Sequence, residues 1–110
     1  MRNFISINNN RDFMFMYRRA RSLCADCLVL YYRKNKTDNL RLGITVTKKV
    51  GKAVVRNRIR RRIREVFTEL SGEIPPSYDI IIVSRAKAAQ CDYSEIKSAL
   101  KYLLKKAELI

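Results

Sequence analysis

The stretch Lys48 to Leu70, KKVGKAVVRNRIRRRIREVFTEL, constrains this chain more than any other. Val55, Ile59, Ile63, Val66, Phe67 and Leu70 recur at steps of three and four residues. At about 100° per residue they fall on one stripe of a helix, and such a stripe has to be buried against a core. Between Lys48 and Arg64 the same stretch holds nine Lys or Arg and no acid. Arg56 and Arg60 flank the stripe on one side and Arg62 on the other, with Arg58 and Arg61 roughly opposite. The helix is therefore expected to dock by its stripe and to present arginine around the rest of its circumference. The charge also runs against the helix dipole. Arg56 and Arg58 sit at the positive N-terminal end, where a cation costs about 0.3–1 kcal/mol, and Glu65 and Glu69 sit toward the other end. A solvated basic face is the ordinary meaning of a charge run. The density and the wrong-way dipole favour a polyanion that meets the N-terminal half.

The whole chain follows the same bias. With 24 Lys and Arg against 10 Asp and Glu, its 110 residues carry a formal charge of +14. Such a charge points to nucleic acid or an anionic membrane surface. The length fits a single domain over 1–110, with 1–9 expected to be loosely ordered apart from Phe4, Ile5 and Ile7, which can fold back on the core. No apolar run is long enough to span a bilayer and no signal-peptide pattern is present, so a soluble, cytoplasmic protein is expected. A membrane-surface role fits poorly, because Phe67 is the one bulky aromatic on the arginine helix.

Catalytic chemistry is poorly supplied. There is no histidine for general acid–base work, and the acids are scattered rather than grouped as a two-metal nuclease needs. Cys24 and Cys27 form a C-x-x-C, but only Cys91 remains as a further soft ligand where zinc requires two. All three are read as reduced thiols. No catalytic residue and no metal ligand is expected on this chain.

In order, Asn9 or Asn10 can cap a helix over about Arg11 to Ala20, with Phe13 and Tyr17 on one face. A strand is expected over about Asp26 to Lys34, with Cys27, Val29 and Tyr31 on one face and Leu28, Leu30 and Tyr32 on the other. The polar stretch Lys34 to Asn39 reads as a hairpin turn into a second strand, about Leu40 to Thr47. There Leu42, Ile44 and Val46 share a face, and Gly43 in mid-strand permits a bulge or a close approach by another backbone or a ligand. After the arginine helix, Tyr78 to Arg85 reads as a central strand, because its apolar run is nearly continuous. The last helix starts at Asp92, which forms a capping box with Glu95, and runs to about Ala107. The order α-β-β-α-β-α predicts an α+β fold, a small sheet with helices packed on one face.

Phe13, Tyr17 and Tyr31 admit two readings. Aromatics on a helix and a strand of a small domain are commonly core. Thr45 and Thr47 suggest instead that one sheet face is shallowly buried, so the three rings could line a groove where unpaired bases stack, with Lys48, Arg56 and Asn57 holding phosphates.

The run Arg41 to Glu65, RLGITVTKKVGKAVVRNRIRRRIRE, resembles the signature of the bacterial ribonuclease P protein component, whose hallmark Arg-Asn-Arg element stands here as Arg56, Asn57 and Arg58. Asp12-Phe13, Tyr17 and Leu30-Tyr31 fall at similar spacings, and the likeness covers about residues 9 to 106. Ala20 and Tyr17 depart from it, standing where Gly and Phe are frequent. The resemblance implies a single-domain two-layer α/β sandwich of the ribosomal protein S5 domain 2-like type, with a left-handed β-α-β crossover where the general rule predicts a right-handed one. It implies a protein cofactor for a catalytic RNA that removes the 5′ leader of precursor tRNA, with Mg²⁺ held mainly by the RNA and none bound tightly by the protein. Phe13, Tyr17, Val29, Tyr31, Thr45, Lys48, Arg56 and Asn57 would then meet the leader. Lys49, Lys52, Arg58, Arg60, Arg61, Arg62 and Arg64 would meet ribonuclease P RNA, one protein per catalytic RNA, with no DNA or membrane partner. Two rivals remain on the residues alone: a general or ribosomal RNA-binding protein, and a stand-alone nuclease.

Overall fold

The apolar run Asp79 to Val83 ends where continuous hydrophobicity demands, in the middle of a sheet. The computed structural model describes residues 4–110. In chain order it forms β1 (Ile5–Ser6), α1 (Asn10–Arg19), β2 (Arg21–Cys24), β3 (Leu28–Lys34), β4 (Arg41–Val46), α2 (Ala53–Leu70), β5 (Tyr78–Ser84) and α3 (Tyr93–Lys106). Short 3-10 turns at Lys48–Val50, Ser71–Glu73 and Ala86–Gln90 join them. The strands lie in the order β1-β4-β5-β3-β2. β5 runs parallel to β4 and antiparallel to β3, and Ile80, Ile81 and Ile82 are wholly buried.

That central position overturns the expected hairpin. Lys34 to Asn39 does not join adjacent strands, because β3 and β4 lie on opposite sides of β5. A β3–β4 hairpin would have left the most apolar strand at an edge with its ladder half unpaired. The stretch instead steps across the start of β5, organised by Asn35. The Asn35 amide donates to the Ser77 carbonyl at 2.7 Å, and its side-chain nitrogen donates to Asp79 Oδ1 at 2.7 Å and to the Asn39 carbonyl at 3.0 Å. The true hairpin joins β2 to β3, closed by the Ala25 amide on the Leu28 carbonyl at 2.8 Å. The C-x-x-C pair therefore spans a tight turn.

The N-terminal expectation is corrected in part. Residues 1–3 lie outside the described residues, but β1 pairs in parallel with β4. The Ile5 and Ile7 amides donate to the Leu40 and Leu42 carbonyls, both at 2.8 Å. Phe4 and Ile7 are buried, with Phe4 edge-on to Phe67 at 5.1 Å between ring centroids.

The two sheet faces are covered unequally. On one, Leu28, Leu30, Leu42, Val46, Ile80 and Ile82 pack against α2 and α3 in the main core. The expected stripe of α2 is the buried one: Ile59, Ile63, Val66, Phe67 and Leu70. α3 buries Ile96, Leu100, Leu103 and Leu104 and starts with the expected Asp92–Glu95 capping box. The expectation of helices on one face holds for α2 and α3, whereas α1 crosses the opposite face. There Met16 is buried with Ile7 and Ile81, and Phe13, Tyr17, Tyr31 and Val83 are only partly covered. A single ten-residue helix is too narrow to cover five strands.

α1 is tied down at its first turn. Asn9 Oδ1 caps the Asp12 amide at 2.8 Å, and the Asp12 carboxylate accepts from Arg41 Nη2 at 2.5 Å. Arg41 Nε also lies 3.7 Å from the buried Asp79. The hydrogen bond from Arg41 holds the Asp12 carboxyl below its ordinary value. A depressed folded-state pKa contributes stability above the unfolded value and loses it as pH falls through the folded one. Urea denaturation between pH 7 and pH 3 is expected to show stability falling on the acid side, less steeply in Asp12→Asn. Equal slopes in both proteins would refute this tether.

Candidate nucleic-acid interface

The half-covered sheet face forms a cleft beside α1. Residues paired across the strands share this face, so Val29 and Tyr31 of β3, Ile81 and Val83 of β5, and Gly43 and Thr45 of β4 stand side by side. α1 adds Phe13 and Tyr17 from above. The Phe13 and Tyr17 rings lie 6.3 Å apart, tilted by 49°, and Tyr17 meets Tyr31 edge-on at 5.1 Å. A 2.7 Å hydrogen bond joins the Tyr17 hydroxyl to Thr45 Oγ1. The two readings of these aromatics merge: each ring packs into the small cluster around Met16 and keeps part of its surface exposed.

Phe13 occupies its place because residue 43 has no side chain. A Cβ there would stand 2.7 Å from the Phe13 ring and 3.3 Å from Ile81. The close approach at Gly43 is thus made by an aromatic side chain of α1, where another backbone or a ligand was expected. Val83, on the cleft floor, was not among the expected site residues. In an unbroken apolar strand, alternation cannot distinguish the two faces.

From Thr45 the chain runs directly into basic residues. Lys48 and Lys49 are exposed in the turn after β4, and Lys52 is the exposed N-cap of α2. The first turn of α2 has no side-chain cap and no acid, so its free amides and the positive dipole end face a cationic neighbourhood. Arg56 follows in that turn, partly exposed. The exposed Asn57 accepts from Arg60 Nη1 at 3.0 Å, which holds the Arg60 guanidinium against the preceding turn of the helix.

The remaining helix arginines divide by position. Arg61 is exposed, 4.0 Å from Glu65, and Arg64 is partly exposed. Arg58 and Arg62 bend toward the segment before α3, where Arg58 Nη2 donates to the Ala89 carbonyl at 3.5 Å and Arg62 Nη1 to the Cys91 carbonyl at 2.8 Å. Arg58 Nε is buried without a protein partner. These two arginines thus also fasten α2 to the segment that leads from the Ala86–Gln90 turn into α3, a task their spacing did not reveal.

Among the described residues, no three His, Cys, Asp or Glu side chains converge as a metal cage would require. Burial, with the Cys91 thiol alongside, pushes the Cys27 thiol up to about 11, so it stays protonated at neutral pH and is a poor nucleophile or ligand. No helix among the described residues is long and apolar enough to cross a membrane.

The family model for ribonuclease P matches residues 1–108. The chain belongs to the ribonuclease P protein component family. It is 43% identical to the ribonuclease P protein component of Clostridium botulinum over 102 residues, covering 92% of each chain. To that of Alkaliphilus metalliredigens it is 38% identical over 104 residues, covering 94% of each. Its fold is similar to the Staphylococcus aureus RNase P protein, with a TM-score of 0.87 and 38% identity over 94% of this chain and 95% of that one. The Thermotoga maritima RNase P protein gives 0.83 at 35% identity, over 92% and 96%. The signature read from Arg41 to Glu65 therefore marks a true member of the ribonuclease P protein family. In this member it runs from the Gly43 floor of the cleft to the exposed arginines of α2.

The Gly43–Phe13 contact makes a measurable demand. Gly43→Ala is expected to cost about 1 kcal/mol in urea denaturation, by displacing the Phe13 ring, and far less in a Phe13→Ala background. An equal cost in both backgrounds would place the strain elsewhere.

Proposed function

We propose that this chain is the protein subunit of ribonuclease P and serves tRNA 5′ processing, with ribonuclease P RNA as its partner and the catalyst. The observation that carries the reading is a sheet face of partly exposed aromatics, joined through β4 to an uncapped, arginine-rich helix. A precursor tRNA differs from the mature tRNA by its single-stranded leader. Unpaired bases stack on aromatic rings, worth about 1–3 kcal/mol per base, and Phe13, Tyr17 and Tyr31 supply such rings above Val29 and Thr45. Lys48, Arg56 and Asn57, just beyond the end of β4, would take the leader's phosphates.

Lys49, Lys52, Arg60, Arg61 and Arg64, with the free edges of Arg58 and Arg62, would neutralise phosphates of the catalytic RNA. Each contact releases counterions, so assembly should weaken steeply with salt. Mg²⁺ supplies the hydrolytic chemistry when bound, and in this reading it is held mainly by RNA. The chain's own work is to bind, orient and neutralise. We further propose a cytoplasmic location, one protein per catalytic RNA, and no DNA or membrane partner.

Precursor tRNA cleavage at low Mg²⁺ tests the reading. A bacterial ribonuclease P RNA is expected to cut at the mature 5′ end when this protein is added, and only weakly without it. Cutting by the protein alone would make the chain an enzyme, and RNA binding without rescue would leave a general RNA-binding protein. The cleft has its own test. Tyr31→Ala in the assembled ribonucleoprotein is expected to weaken precursor binding about fivefold or more and to leave mature tRNA nearly unchanged. Equal losses for both ligands would remove the leader from the cleft.

A further inference from the structure

The outer side of α1 carries chemistry that the cleft does not use. Because Phe13, Met16 and Tyr17 turn toward the sheet, Arg11, Met14, Phe15, Arg18 and Arg19 are exposed. Phe15 is 44% exposed, and the guanidinium of Arg33 from β3 lies 4.4 Å from its ring centroid. Two hollows of about 340 and 300 Å³ meet at Arg19. One runs along α1 past Phe15, and the other runs over the ends of β2, β3 and β5 past Tyr32 and Tyr78.

The charge of this flank is uncompensated. Arg11, Arg18, Arg19, Arg21, Arg33 and Lys34 line the two hollows, and no acid does. Among the described residues none of the six makes an ion pair with a carboxylate. The one acid on α1, Asp12, is occupied by Arg41. Six gathered cations repel one another and raise the energy of the free protein. An exposed phenylalanine beside them adds no burial in compensation. The combination of cations with accessible aromatic rings matches a strand of nucleotides, with phosphates for the charges and unpaired bases for the rings. A membrane would need a broader apolar face than Phe15 and Met14 provide. A duplex keeps its bases stacked internally and would leave Phe15 without a partner.

We propose that this flank of α1 is a second RNA-binding surface, separate from the cleft, that takes single-stranded RNA with a base stacked at Phe15 and Arg33. The helix itself divides the two surfaces: Phe13 and Tyr17 face the cleft, and Phe15 and Arg19 face outward. The proposal stands whether or not the cleft takes a leader.

The test uses the full chain, a fluorescent 20-nucleotide uridine RNA and a 16-base-pair RNA duplex, followed by anisotropy over a range of salt. Phe15→Ala is expected to weaken the single strand about fivefold or more and to leave the duplex unchanged. Arg19→Gln with Arg33→Gln is expected to flatten the log–log salt slope for the single strand by about 1.4, two phosphate contacts' worth. In the wild-type protein, an oligonucleotide carrying 4-thiouridine is expected to crosslink at Phe15 or Tyr32, both outside the cleft. Crosslinks confined to Tyr17, Tyr31 and the other cleft residues would overturn the proposal. So would unchanged affinity and slope in variants that melt like wild type, or equal losses for strand and duplex in Phe15→Ala. Tyr31→Ala in the precursor assay reports on the cleft independently, so the two surfaces can fail separately.

Discussion

Burial of one helical stripe makes the rest of this molecule possible. α2 is a poor helix by its electrostatics: it starts with cations, has no acid in its first turn, and ends without a base in its last. Each misplaced charge costs about 0.3–1 kcal/mol, and neighbouring arginines repel. Against this stand Ile59, Ile63, Val66, Phe67 and Leu70, each worth about 1.5–3 kcal/mol when fully buried. The apolar side outweighs the electrostatic side several-fold. The helix can therefore hold arginine where a surface helix chosen for stability would not. Arg58 and Arg62 ease the strain further by giving hydrogen bonds to carbonyls of the segment that leads into α3.

The sheet solves a second problem with the same economy. β5 has to be covered on both faces and paired on both edges, which fixes β3 and β4 as its neighbours. Two helices cover most of one face. The other receives only α1, tethered through Asp12 to Arg41 and seated by Phe13 on Gly43. Incomplete coverage leaves aromatic surface half exposed beside the start of α2. The cleft is thus a consequence of having one helix too few, placed where the basic turn after β4 can border it.

The helices were legible in the sequence because each is amphipathic over several turns, and the capping box at Asp92 even fixed where α3 begins. β5 was legible as central from its unbroken apolar run. Pairing was not. The reading of Lys34 to Asn39 as a hairpin treated sequence neighbours as sheet neighbours, and the tie between Asn35 and Asp79, 44 positions apart, has no local signal. β1 and β2 were missed because two and four residues are too few to show alternation. In the candidate site, Phe13, Tyr17, Tyr31 and Thr45 do come together. The carbonyl contacts of Arg58 and Arg62 were hidden, because a charge run looks the same whether its members face solvent or lean on a loop.

The charge that would suit this chain to RNA also weakens the chain alone. A formal charge of +14 on 110 residues repels itself, and among the described residues most of the arginines and lysines have no acidic partner close enough to offset it. Salt screens that repulsion and favours the fold, while it opposes counterion release and disfavours RNA. The two properties therefore respond to salt in opposite directions. A polyanion that binds the native state more strongly than the unfolded one would do what salt does for the fold and add its own binding free energy. On this view the arginines of α2 and the cations of the α1 flank are unfavourable only in the isolated protein. In a ribonucleoprotein they become part of what holds both components in shape.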